Sequence, residues 1–453
     1  MHVLSLGSDQ RMGIGAVTRM AELLALESRS VRRSVWLVCL ACGFAFGQTS
    51  PLTLADCVRL ALEAPSAVQS AELEEDIAAE RRIAARAELL PQFGGSMGYG
   101  YNSPTTNARN PFSFVSLNGI REYLATADTN WNLDLSGRLR AGLALAQAGR
   151  ELASADLAVA RRDLRRAVAL AFYDAQLTRR FVALEESSLE EAREFERLAR
   201  ARRDRGEASR ADVLKASAQV AQFEQRTEQA RLDARIANQV LASFWTSEVD
   251  RELPLVDALE APVAPPDATI SDPGETGIQG RPELRRLEAL NRSYEAQQAI
   301  ARSGLRPDAS VVLRYGLDAN QLRADQRGYA AFVTVNVPVF DWFRSRSGVR
   351  EAEFRKRQLD QQRAMAERTF TLEYQSARVR VRSWHDRILL TRRELDAARE
   401  NLRLVRLLYA AGEGPALDLV LSQVQIAQAG RSFYSAIAEY RRAIADFEVA
   451  AGQ

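Results

Sequence analysis

The chain has little of what enzymes work with. Among 453 residues, histidine occurs only at His2 and His385 and cysteine only at Cys39, Cys42 and Cys57. No His/Cys metal cluster, Ser/His/Asp set or thiol pair can be assembled from so few, so neither an enzyme nor a metal or other cofactor is expected. Net charge is also nearly absent, at +2, which argues against nucleic acid as a partner. Lysine is confined to Lys215 and Lys356, and arginine carries almost all of the positive charge, a pattern that reads as nucleotide bias in the gene. Proline is missing from Ser136 to Arg205. That leaves a run of about 70 residues free to form one helix roughly 100 Å long, longer than any compact globular domain.

What is present is a duplication. Arg205-Gly-Glu-Ala-Ser-Arg-Ala-Asp-Val-Leu214 has a second copy in Ala411-Gly-Glu-Gly-Pro-Ala-Leu-Asp-Leu-Val420, with Gly206 on Gly412, Glu207 on Glu413 and Asp212 on Asp418. Internal repeats outrank any other sequence signal. Steps of three and four from Val213 reach Ala216, Val220, Phe223, Thr227, Ala230, Ala234, Ala237, Leu241 and Phe244. The same steps from Leu419 reach Ser422, Ile426, Ala429, Phe433, Ala436, Tyr440, Ala443, Phe447 and Ala450, and running back from Tyr409 they continue to Phe370. These are coiled-coil seams, so each repeat holds a helical hairpin whose turn is the Gly-Glu motif. Glycine there supplies the left-handed residue that ends one helix before the chain reverses.

Elsewhere the period falls from 3.6 to 2. In Gln92 to Tyr101, Phe93, Met97, Tyr99 and Tyr101 alternate with polar or small residues, and Arg121 to Leu135 alternates likewise. The second repeat matches with Ala309 to Asp318 and Tyr329 to Val339. Each of the four segments is long enough to cross an outer membrane as a tilted strand. Tyr99, Tyr101 and Tyr123 at one level, and Trp131, Phe340, Trp342 and Phe343 at the other, fit interfacial aromatic girdles. Four strands cannot close a barrel, so strands must be pooled between chains. Ahead of each strand pair comes a helix bracketed by prolines, Pro65 to Pro91 and Pro282 to Pro307.

The expected organisation is an extended start and signal peptide over 1–47, a first repeat over 48–246 with a strand hairpin at about 92–135, a linker over 247–280, and a second repeat over 281–453 with a strand hairpin at about 308–340. Arg29, Arg32 and Arg33 precede the apolar run Val35 to Phe46, which is too short to span a bilayer, and Ala45-Phe-Gly47 suits cleavage before Gln48. Leu40-Ala41-Cys42 resembles part of a lipobox, but Cys39 stands where an aliphatic residue belongs.

The ordered, duplicated set resembles the TolC-type outer-membrane efflux proteins over nearly all of residues 50 to 450. Its motifs are Leu52-Thr-Leu-Ala-Asp56, the paired Pro-helix-Pro-strand units, Arg138 and Arg344 after the second and fourth strands, and the two Gly-x-x-x-x-x-Asp turns. The resemblance implies an α+β membrane protein, mostly long coiled-coil hairpins forming a periplasmic α-barrel, with four transmembrane strands per chain in a shared twelve-stranded barrel. It implies a homotrimer in outer-membrane lipid, reaching into the periplasm and exporting cargo passively with a periplasmic adaptor and an inner-membrane pump. Carried over by position, Asp418 would line the periplasmic entrance, and Tyr409 and Asp212 would join a closing network. A second acidic ring is absent, that place being Leu421, and the basic partner two residues after the Gly is replaced by Gly414. Gly206, Glu207, Gly412 and Glu413 would form the adaptor-contacting tips. Ser209-Arg-Ala-Asp212 also reads as a capping box, which would give Asp212 a purely local role. Two other classes remain at this point. A periplasmic adaptor has a signal and a coiled-coil hairpin but only one, between β-rich halves, and a structural coiled-coil envelope protein would account for the heptads alone.

Overall fold

The computed structural model describes residues 51–103, 120–266, 270 and 278–452. The expected signal segment, the tip of the first strand hairpin and part of the Pro-rich linker lie outside them. Helix α1, Leu54–Glu63, starts at a capping box in which Thr53 and Asp56 each bind the other's backbone N–H. Helix α2, Ala67–Ala87, begins after Ser66, so Pro65 sits just outside the helix, whereas Pro282 occupies the first turn of α5, Pro282–Ser303, as the punctuation predicts.

The strands are β1, Gln92–Tyr101, β2, Arg121–Asn132, β3, Asp308–Ala319, and β4, Arg327–Asn336. They form one antiparallel sheet in the order β1-β2-β3-β4, so β2 and β3 join the two repeats. Register decides what each face carries. Tyr99 pairs with Tyr123, Trp131 with Val311 and Tyr315 with Tyr329, which places every odd-numbered strand residue on one face. That face is mostly apolar, broken by Arg121, Thr129 and Arg327, and mostly bare: Met97 is 91% exposed, Tyr329 89% and Phe93 81%, although Ala309 and Leu317 are buried. The even face is mostly polar or small, with Leu124, Val312 and Phe332 as exceptions, and Asp128 stands opposite Arg314, ion-paired to it at 2.5 Å. β1 and β4 leave one open edge each.

Two strands end sooner than alternation predicts. β2 stops at Asn132 because Asp134, in left-handed conformation at φ 48, turns its carboxylate onto the N–H groups of Leu139 (2.8 Å) and Arg140 (3.0 Å) and caps the next helix. β4 stops at Asn336, before Pro338, which has no N–H to give a ladder. Phe340 stacks edge-on against Trp342 and Phe343, both at positive φ, and Asp341 accepts from the Ser345 N–H.

The arms follow. Helix α3, Arg138–Asp204, has 67 residues and α6, Arg344–Ala411, has 68, each about 100 Å long. α4, Arg210–Ala242, returns along α3, and α7, Ala416–Ala450, along α6. α3 also lies against α7, which joins the hairpins. Most seam positions are buried, among them Ala216, Phe223, Thr227, Ala230, Ala237 and Leu241 in α4, and Ala429, Ala436, Tyr440, Ala443 and Phe447 in α7. Midway down the arms, the Glu185 carboxylate is fully buried and meets Arg431 Nε at 2.9 Å. The described part of the linker runs along the helices. Leu253 and Leu259 are buried, the Ala258 N–H donates to Gln176 Oε1 (2.7 Å), and the Tyr440 hydroxyl donates to the Ala264 carbonyl (2.6 Å). Where the second repeat opens, buried Arg281 donates from Nε to the Ala450 carbonyl (3.0 Å), pairs with Glu373 (2.7 Å) and lies over the Phe370 ring.

Candidate functional site

Both hairpin turns are built alike, from the requirement that the last carbonyls of a helix find donors. At the first, the Glu207 N–H reaches the Arg202 carbonyl (2.9 Å) and the Gly206 N–H reaches Arg203 (2.8 Å). At the second, the Glu413 N–H reaches Leu408 (3.0 Å) and the Gly412 N–H reaches Tyr409 (3.1 Å). These are Schellman closures, with Gly206 at φ 77 and Gly412 at φ 87. The turns diverge at the next helix. Ser209 caps α4 through a full box with Asp212: Asp212 N–H to Ser209 Oγ at 3.1 Å, Ser209 N–H to Asp212 Oδ2 at 3.2 Å and the hydroxyl to the same oxygen at 2.8 Å. The Ser209 hydroxyl, with its backbone N–H and the Lys215 ammonium adding to it, holds the Asp212 carboxyl below the usual range. α7 has Pro415 in the capping place and no side-chain cap, so Asp418 stands exposed in its first turn, favoured there by the helix dipole. Leu421, one turn on, is also exposed.

The two turns share a small core of Phe195, Ala199, Val213, Ala216, Leu402 and Leu419, and Tyr409 belongs to it. Tyr409 is 3% exposed and packs edge-on against Phe195, ring centroids 5.3 Å apart. Its hydroxyl is buried with no hydrogen-bond partner among the described residues. Burial pushes the phenol up, the Arg202 charge opposes this, and the Asp212 charge pushes it further. Asp212 and Tyr409 thus lie within electrostatic reach but are not hydrogen-bonded to each other inside one protomer, because the Asp212 carboxylate is engaged by Ser209 and Lys215. Glu207 and Glu413 are exposed at the turns, and Glu207 lies 3.7 Å from Arg205.

Sequence reasoning missed Arg202. Its guanidinium lies over the Tyr409 ring, 4.9 Å from the centroid, and Nη1 donates to the Tyr409 carbonyl. The one signal available was a break in the duplication, since the residue 206 places further on is Leu408.

The comparisons bear on family and fold. The family model described as outer membrane efflux protein matches residues 57–246 and 276–453. Comparison with curated protein sequences gives no match. Among solved structures, the CmeC outer membrane channel of Campylobacter jejuni is similar with a TM-score of 0.78 at 17% identity, covering 90% of each chain. The outer membrane protein VceC of Vibrio cholerae gives 0.76 at 17%, covering 88% of this chain and 96% of its own. The open-state MtrE outer membrane channel of Neisseria gonorrhoeae gives 0.75 at 20%, covering 88% of each. At such identities the likeness establishes the fold.

Proposed function

Because the chain belongs to the outer membrane efflux protein family, we propose that it is the trimeric outer-membrane channel of a tripartite efflux or type I secretion system, a passive conduit across the periplasm and outer membrane. The observation that carries this reading is the sheet. One face is mostly apolar and exposed, the other is mostly polar or small, and both edges are open. Lipid explains the first face, an aqueous lumen the second, and neighbouring copies the edges, since unpaired strand edges are not tolerated in hydrocarbon. Three copies supply twelve strands, enough for a barrel with a water-filled interior. The same arrangement puts three Asp418 carboxylates around one axis at the periplasmic end, and Tyr409 and Asp212 beside them. The turns at Gly206-Glu207 and Gly412-Glu413, farthest from the strands along each hairpin, are the surfaces offered to a periplasmic adaptor working with an inner-membrane pump.

Native mass spectrometry in detergent together with planar-bilayer recording tests the proposal. A trimer that conducts ions is the expected result. A stable monomer, or a protein that never forms pores, would remove it.

A further inference from the structure

Resting on that channel reading, we propose that Arg202 is the latch that ties the second hairpin turn to the first within one protomer and so holds the resting aperture of the entrance. The argument begins with what α6 lacks. Its last turn contains no basic residue, so the carbonyls at its end carry the negative pole of a long helix without a cation of their own. Arg202 supplies one from α3. It is only 7% exposed, donates from Nη1 to the Tyr409 carbonyl and lies over the Tyr409 ring. Nη2 is 3.2 Å from where a side chain on Gly412 would begin. The same guanidinium returns to its own turn, with Nη2 3.5 Å from the Glu207 carbonyl and Nε 3.6 Å from the Glu207 carboxylate. One planar fork therefore binds both turns at once, which a lysine could not do.

The duplication does not produce this contact. The residue 206 places after Arg202 is Leu408, and the first-repeat counterpart of Tyr409 is Arg203, which is exposed and pairs with Asp204. The bond thus runs one way, from the first hairpin to the second. Any change of aperture that shifts one hairpin against the other must break it. A buried guanidinium is tolerated only while it is paired and hydrogen-bonded, and on separation it regains water, so the latch is reversible. Glu207, its counter-ion, is one of the turn residues offered to the adaptor. A cationic side chain that takes the Glu207 carboxylate would weaken the latch from outside.

The test is single-channel recording of the full-length protein in planar bilayers, comparing the parent with Arg202→Gln, Arg202→Lys, Glu207→Gln and the exposed control Arg200→Gln. Removing a hydrogen bond to a charged group shifts an equilibrium about tenfold or more, so the open-to-closed ratio of Arg202→Gln should rise by that factor. Arg202→Lys should fall between it and the parent, and Arg200→Gln should match the parent. Glu207→Gln leaves the exposed turn's fold intact and should raise the ratio by a smaller factor. It keeps the proposal testable if Arg202→Gln fails to assemble. Parent-like gating in Arg202→Gln, or in Glu207→Gln where Arg202→Gln does not assemble, overturns the latch while leaving the channel reading in place. Absence of pores in the parent removes the channel reading and the latch with it.

Discussion

The two turn glycines offer an internal control, because they share a backbone conformation and differ in what surrounds them. Gly206 and Gly412 both sit at left-handed φ, 77 and 87. Placing alanine at either costs about 1–2 kcal/mol from backbone strain alone. A Cβ on Gly206 meets nothing within 4 Å, so Gly206→Ala should stop at that cost. A Cβ on Gly412 meets Arg202 Nη2 at 3.2 Å. The guanidinium would have to give by a few tenths of an ångström, and it is held by the Tyr409 carbonyl and ring. Weakening a hydrogen bond to a charged group costs up to about 1.5–3 kcal/mol. Gly412→Ala should therefore destabilise its turn by roughly 2–4 kcal/mol, and Gly412→Val by more, since a β-branched side chain resists positive φ further. Hydrogen exchange read on peptides spanning each turn reports local opening free energy directly. Repeating both substitutions in an Arg202→Ala background closes a double-mutant cycle, where the excess at Gly412 should vanish. Equal costs at the two glycines in the parent, or an excess that persists without Arg202, would refute the reasoning.

The other predictions concern single residues. Asp418→Asn should reduce cation selectivity in bilayer recordings and Leu421→Asp should increase it, because like carboxylates brought around one axis attract cations; unchanged selectivity in Asp418→Asn would return that residue to a helix-start role. Ser209→Ala should loosen the start of α4 by about 1 kcal/mol. Part of that effect titrates. The Asp212 carboxyl is held down in the folded turn, so its stabilisation is present above the ordinary aspartate value of about 3.9 and fades as pH falls through the lower folded value. Exchange protection of the first α4 turn in parent and Ser209→Ala should therefore converge in acid, and a gap that widens would contradict the capping account. Arg281→Met should cost somewhat less than the roughly 3–5 kcal/mol typical of breaking a buried pair, because Glu373 is half exposed and can take up water. Its signature is fraying at the end of α7, where the Ala450 carbonyl loses its donor, measurable as faster exchange there than in the strands.

Periodicity makes much of this protein legible in its sequence. The seams of α4, α6 and α7, the common face of four strands and the two glycine turns all follow from side-chain spacing. Spacing is dictated by the local backbone, 3.6 residues per helical turn and two per strand repeat. The duplication then related one half to the other without knowledge of their contacts. Element ends were less legible. Alternation carries β2 on to Leu135, but Asp134 leaves the sheet to cap α3, and nothing in a period-2 pattern distinguishes a carboxylate that faces a lumen from one that accepts two helix N–H groups.

The candidate site divides in the same way. Ser209 and Asp212 could be read as a capping box because they bond to each other three residues apart. Arg202 could not be read, since its acceptor lies 207 residues along the chain on a helix that only tertiary packing brings alongside. The same holds for Arg281 with the Ala450 carbonyl, 169 residues away, and for Glu185 with Arg431. A long charged side chain has no preferred local partner and no period, so its sequence position names a charge but not what the charge meets. By itself the sequence determined the repeated unit, its helices and strands and the faces they bury, because those depend on neighbours a few residues apart. Which arginine reaches the Tyr409 carbonyl was decided only when two 100 Å arms packed side by side and brought the Arg202 guanidinium to it.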